Sequence, residues 1–114
     1  MDRITEYRQI VQEYLTEFAT ISPTYQLIFD TTRDRYLVIH DEWCGESRIY
    51  GCSMQLDIIE NQIWIQQNNT EIYVVGEASP VENRELIQQG VSPQDIILGF
   101  RSPSIRKLLT AAHH

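Results

Sequence analysis

The chain has little of what would staple or arm a small protein. Two cysteines occur among 114 residues, and neither belongs to a Cys-x-x-Cys or Cys-x-x-His spacing, so a zinc framework has no ligands to start from. The five glycines are scattered singly, which excludes a phosphate-cradling glycine loop. Lys107 is the sole lysine; a restriction-type nuclease centre, which combines carboxylates with a lysine, has no such cation in the body of the chain. Of three histidines only His40 is internal. In Ile39-His40-Asp41-Glu42, strand alternation sends His40 and Asp41 to opposite faces, which argues against a catalytic pair made by neighbours. His40 and Glu42 share a face, but two ligands without a third are a weak metal site, and no cofactor is expected. No apolar run approaches the length of a membrane span. Met1-Asp2-Arg3-Ile4 opens on a charged helical pattern without the apolar centre of a secretory leader, so the cytoplasm is the expected compartment.

What is present suits one domain over residues 1–114. A hydrophobic share of 42% with 22% charged residues is ordinary for a globular chain, and this length buries roughly two-thirds of the unfolded surface without a staple. The net charge of -7 disfavours direct binding to nucleic acid. Residues 101–114 carry Arg101, Arg106 and Lys107 with no acid, or +3, which leaves -10 for residues 1–100. Three such charges read first as a solvated helix face and only second as a weak basic patch for phosphate.

Residues 36–67 read as two consecutive β-hairpins. A two-residue turn at Gly45-Glu46 pairs Trp43 with Arg48, Ile39 with Cys52 and Leu37 with Met54. A second turn at Glu60-Asn61 pairs Ile58 with Ile63 and Leu56 with Ile65. This register collects Leu37, Ile39, Tyr50, Cys52, Met54, Leu56, Ile58, Ile63 and Ile65 on one face. It also puts Cys44 at the turn and Cys52 well down the strand, too far apart for a disulfide, so both thiols are expected reduced.

Upstream, Ile4, Tyr7, Val11, Tyr14, Leu15 and Phe18 recur at three- and four-residue intervals, which predicts an amphipathic helix from Asp2, as its cap, to about Ala19. The Tyr and Phe stripe at that spacing is core packing rather than a ligand box. Residues 25–30 read as a strand. A three-residue loop at Thr32-Arg33-Asp34 places Phe29 opposite Leu37 and Leu27 opposite Ile39. The expected fold is therefore α+β, with an N-terminal helix, a four-stranded antiparallel β-meander and short C-terminal helices packed on the sheet. Those helices follow from Ser79-Pro80-Val81-Glu82, a capping box whose helix ends at Gly90, from a single turn at Ser92-Pro93-Gln94-Asp95, and from Ser102-Pro103 leading through Ile105, Leu108 and Leu109. Between the last two starts, Ile96-Ile97-Leu98-Gly99-Phe100 reads as buried, and the state of residues 71–78 stays open.

The second sheet face should carry Ile28, Tyr36, Val38, His40, Ile49, Gly51, Ser53, Gln55, Asp57, Trp64 and Gln66. Its apolar members Ile28, Tyr36, Val38, Ile49 and Trp64 form a candidate partner interface, unless the C-terminal segments fold over them.

Several ordered segments carry a family resemblance. They are Tyr7-Arg8-Gln9-Ile10; Phe29-Asp30 followed by Arg33-Asp34-Arg35-Tyr36; Arg48-Ile49-Tyr50-Gly51-Cys52; Ile63-Trp64-Ile65-Gln66 with Thr70-Glu71; and Gly90-Val91-Ser92-Pro93-Gln94-Asp95-Ile96-Ile97-Leu98-Gly99-Phe100. Together they resemble the XisI-type excision-controlling factors of cyanobacteria over nearly the whole chain, with a longer link at residues 73–80 and a different end at residues 110–114. The resemblance implies a small cytoplasmic protein that acts with an XisH-like partner in controlling site-specific excision of a DNA element, the recombinase being a separate protein. Because XisH-like partners resemble nucleases in fold, it also implies an antitoxin-like restrainer as an alternative. Two function classes follow: a non-enzymatic regulator that binds a protein through the Trp64 face and also pairs with itself as a homodimer, or a small-molecule-binding or hydrolytic domain near His40, Glu42 and Trp64.

Overall fold

The computed structural model describes residues 2–68 and 86–104. The chain opens with helix α1 (Arg3–Ala19), whose N-cap Asp2 accepts from the Thr5 amide at 2.9 Å. Such a cap satisfies one of the amides that the first turn leaves without a partner. Strands β1 (Tyr25–Asp30), β2 (Arg35–Cys44), β3 (Ser47–Ile59) and β4 (Gln62–Asn68) follow as an antiparallel meander. A fifth strand, β5 (Ile96–Leu98), pairs parallel to β4 and completes the sheet in the order β1-β2-β3-β4-β5. The class is the expected α+β, with one strand more than the periodicity predicts. Ile96-Ile97-Leu98 is apolar throughout, and three residues are too few for alternation to reveal which state they adopt.

Both hairpin turns sit where the sequence puts them. Gly45 has φ 65 at the first central position of the β2–β3 turn, and Glu60 and Asn61 have φ 52 and 65 in the β3–β4 turn, the left-handed pair of a type I′ turn. Trp43↔Arg48, Ile39↔Cys52, Leu56↔Ile65 and Ile58↔Ile63 all pair as expected. Beyond Ile39↔Cys52 the register changes, since Val38 pairs with Met54 and Ser53 is left as the extra residue of a bulge. Leu37 accordingly meets Gln55 rather than Met54, and every β2 residue on that side of the bulge changes partner.

The β1–β2 loop contains the four residues 31–34 rather than three, because Asp30 pairs with Arg35. Phe29 then faces Tyr36 and Leu27 faces Val38, in place of Leu37 and Ile39. The two errors of register compensate on β1, so Tyr25, Leu27 and Phe29 do point toward α1, but they leave β2 inverted. Tyr36 and Val38 lie on the helix side with no exposed surface, packed with Met54, Leu56, Ile58, Ile63 and Ile65 against Tyr7, Val11, Tyr14, Leu15 and Phe18. Leu37 and Ile39, expected in the core, are half-buried on the opposite face.

Polar contacts lock α1 to both ends of the sheet. Arg8 forms a two-pronged pair with Asp34 at 2.8 and 3.0 Å, and the Tyr36 hydroxyl donates to the same carboxylate at 2.8 Å. The Arg8 guanidinium, helped by Tyr36, holds the Asp34 carboxyl below the usual carboxylate range although burial opposes it. A depressed folded-state pKa contributes stability that is fully present above the unfolded value of about 4 and is lost as pH falls through the folded value. In Arg8→Gln the larger part of that contribution disappears, and the part owed to the Tyr36 hydroxyl stays. The melting temperatures of the parent and Arg8→Gln should therefore differ most near neutral pH and converge below about pH 4; a gap that persists in acid would contradict this role for Asp34.

At the other end the Tyr7 hydroxyl donates to Asp95 at 2.6 Å and accepts from the Ser92 amide at 3.3 Å. Residues 86–88 are helical. Gly90, at φ 112, lets its amide reach the Ile87 carbonyl while the Val91 amide reaches the Leu86 carbonyl, both near 3 Å. Leu86 and Val91 are buried. The single turn expected at Ser92-Pro93 is a 3-10 turn at Pro93–Asp95. The capping box at Ser79, the continuation through Ile105, Leu108 and Leu109, and the basic residues Arg106 and Lys107 lie outside the described residues, as do residues 71–78; of the basic patch only Arg101 is described.

Candidate functional site: the outer face of the sheet

Because paired residues share a side, the ladder assigns the face opposite α1 without ambiguity. It carries Gln26 and Ile28 on β1, Leu37, Ile39, Asp41 and Trp43 on β2, Arg48, Tyr50, Cys52, Gln55 and Asp57 on β3, and Trp64 and Gln67 on β4; Gln66, the extra residue of a second bulge, reaches the same face through its bond to Asp57. The two expectations for this face are each realised over half of it.

On the β4 half, the segment after β5 folds back. The Phe100 amide donates to the Ile65 carbonyl at 3.3 Å. Gly99 lies so close to the Gln66 carboxamide and the Trp64 ring that a Cβ there would overlap the first and press on the second. Trp64 is therefore half-covered by the chain itself. Beside it the buried Asp57 carboxylate accepts from Gln55 at 3.0 and 3.1 Å and from Gln66 at 3.4 Å, so this half is a polar network.

On the other half the face is open among the described residues. The β2–β3 hairpin runs on past the helix as an arm of residues 41–50, of which residues 43–50 are all exposed. Its outer side holds Trp43, 64% exposed, and Tyr50, 63% exposed, with Arg48 between them. The Arg48 guanidinium lies 4.5 Å from the Tyr50 ring centre and 5.9 Å from that of Trp43. Asp41 grips it with two hydrogen bonds of 3.0 and 3.1 Å. The Asp41 carboxyl is lowered and the Arg48 guanidinium raised by that contact, so both are charged at neutral pH. Half-buried Ile39 and Leu37 and exposed Ile28 extend the patch toward β1. Large aromatics around an already oriented arginine are the composition of a protein-binding hot spot, and side chains held in place beforehand lose less freedom on binding.

The five residues of the expected interface do not come together. Ile28 and Trp64 share the outer face; Tyr36 and Val38 are core; Ile49 is exposed but sits with Glu42 on the helix side of the arm. Trp43 and Tyr50, the most exposed aromatics of the patch, were not among the five. Their signal is in the sequence, since the Gly45-Glu46 turn alone places Trp43, Arg48, Asp41 and Tyr50 on one face of a hairpin.

The His40, Glu42 and Trp64 grouping is likewise not formed. His40 bonds Glu42 at 2.9 Å and meets the Tyr25 ring edge-on, while Tyr25 stacks on Phe18. These residues are on the helix side, and Trp64 is on the outer face of another strand. Among the described residues no three His, Cys, Asp or Glu side chains cluster as metal ligands. Neither Cys44 nor Cys52 is in a disulfide, and no helix of the described residues is long and apolar enough to cross a membrane.

A family model described as XisI protein matches residues 1–112. Among solved structures, a XisI-like protein from Anabaena variabilis is 33% identical with a TM-score of 0.79, the match covering 92% of this chain and 94% of that one. The fdxN element excision controlling factor XisI of the same organism is 32% identical with a TM-score of 0.74, covering 92% of this chain and 99% of that one. No curated protein matches.

Proposed function

The chain belongs to the XisI family, and from that premise we propose that it is a non-enzymatic accessory protein in the control of DNA-element excision, working by binding a partner polypeptide. A neighbour at 32% identity over nearly its whole length is an excision controlling factor, which supports the process; the resemblance supplies an XisH-like protein as the partner. The observation that carries the binding role is the Trp43, Arg48 and Tyr50 cluster, exposed and oriented on an arm that reaches beyond the helix. A two-stranded arm has little core of its own, so its apolar side chains are explained by what they bury in a complex rather than by what they stabilise in the free chain. The proposed setting is the cytoplasm.

The net charge favours a second form of the same reading. A body of -10 over residues 1–100 repels DNA and is attracted to a surface built to hold DNA, as a restrainer of a nuclease-like partner requires. The test is co-expression with the XisH-like protein of the same host. A stoichiometric complex is expected, with excision dependent on both chains, and adding this chain to the partner reports whether DNA cleavage rises or falls. Turnover of a substrate by this chain alone, or failure of the two chains to associate, would defeat the proposal.

A further inference from the structure

The sheet ends on β1, and among the described residues no strand pairs with its outer edge. One hydrogen bond sets the direction of its backbone groups. The Asp41 amide donates to the Thr24 carbonyl at 3.1 Å, in step with the pairs Tyr25↔His40 and Gln26↔Ile39. Thr24 therefore faces β2, and by the alternation of an antiparallel ladder so do Gln26, Ile28 and Asp30. Tyr25, Leu27 and Phe29 turn their N–H and C=O groups outward. The Tyr25 amide is already engaged with the Ser22 carbonyl at 3.2 Å. Leu27 and Phe29 are left presenting two donors and two acceptors to whatever lies alongside.

Of the devices that usually guard such an edge, β1 has only a charge at its end, Asp30. No charged side chain occurs from Thr20 to Phe29, the strand contains no proline, and its pairing with β2 has no bulge. Gln26, Leu27 and Ile28 are exposed. We infer that β1 pairs antiparallel with β1 of a second copy about a two-fold axis at Ile28, joining two sheets into one.

In this register Leu27 and Phe29 exchange four N–H···O bonds with the partner's Phe29 and Leu27, which satisfies both free residues. An axis at Leu27 would instead bring the partner's Phe29 carbonyl to the Tyr25 amide, where the Ser22 carbonyl already sits. The edge is complementary to itself. Two copies of a chain at -7 repel overall, but in this register no acid meets acid, since Asp30 lies opposite the partner's Gln26 while apolar residues meet at the centre. Such an axis runs perpendicular to the sheet, so both outer faces look the same way and both helices the other.

The register dictates its own test. Ile28 meets its counterpart as a non-hydrogen-bonded pair with Cα atoms about 4.5 Å apart, within disulfide reach. Gln26 lies four residues out of step with its counterpart, about 13 Å along the strands. In a Cys44→Ser parent, which removes the exposed thiol, Ile28→Cys should run as a covalent dimer on a non-reducing gel after mild oxidation, and Gln26→Cys as a monomer. Sedimentation should give twice the chain mass for the unmodified protein and a single chain for Leu27→Pro, whose lost N–H points outward and not into the β1–β2 ladder. If Leu27→Pro does not fold, the two cysteine variants decide alone. A monomer at every concentration, or a dimer in which Gln26→Cys cross-links and Ile28→Cys does not, overturns the inference.

Discussion

Replacing Val38 with aspartate should unfold the protein rather than weaken a surface contact. Val38 has no exposed area and packs among Tyr36, Met54, Leu56 and the α1 residues. A carboxylate there has no cation within the apolar cluster, so it must stay charged in an apolar medium or take up a proton, and either course costs several kcal/mol. A domain of this size is stable by about 5–15 kcal/mol in total, so most of that margin goes. Thermal denaturation followed by circular dichroism should show loss of the cooperative transition, or its displacement by tens of degrees. If Val38 instead lay on the outer face, as hydrophobic alternation alone predicts, the substitution would leave the melt nearly unchanged. The same experiment therefore checks the bulge at Ser53, because that extra residue turns Val38 inward.

The second large effect falls on binding and spares the fold. Trp43→Ala and Tyr50→Ala should each weaken partner binding by about 2 kcal/mol or more, roughly thirtyfold. Both side chains are almost two-thirds exposed in the free chain, so the melt should move by no more than about 0.5 kcal/mol equivalent. The losses should not add, because Arg48 touches both rings and either truncation releases it. Trp64→Asp is a different experiment. Its ring carries Gly99, so a carboxylate there should disturb the seating of the C-terminal segment and register first as lost stability. Paired titration and melting data on the three variants separate an interface on the arm from one on the β4 half.

Legibility of the fold depended on whether a feature was fixed locally. The α1 stripe, its Asp2 cap, both hairpin turns and the Gly90 helix end are each decided by a few adjacent residues, and each is where the sequence puts it. The bulge at Ser53 and the 31–34 loop are decided by distant packing. Tyr36-Leu37-Val38-Ile39 is apolar at every position, so either alternate pair can face a core, and the choice falls to the bulge. Without the extra residue, alternation assigns Tyr36 and Val38 to the surface, and the expected interface with them. Strand β5 escaped for a related reason, since its pairing with β4 is parallel and long-range and leaves no turn signal. The first turn alone sets Trp43, Arg48 and Tyr50 on one face, but without the bulge that face, with Tyr50 and Cys52, is expected on the core side, and the bulge turns it outward.

Amide hydrogen exchange on the chain, free and saturated with its XisH-like partner, tests the binding account most directly. An exposed two-stranded arm opens readily on its own, and burial of one side in a complex suppresses that opening. The account predicts that slowed exchange centres on residues 41–50, with the core amides of β3 and β4 unchanged. Protection confined to residues 86–104, or an arm that exchanges equally fast in both states, would contradict it.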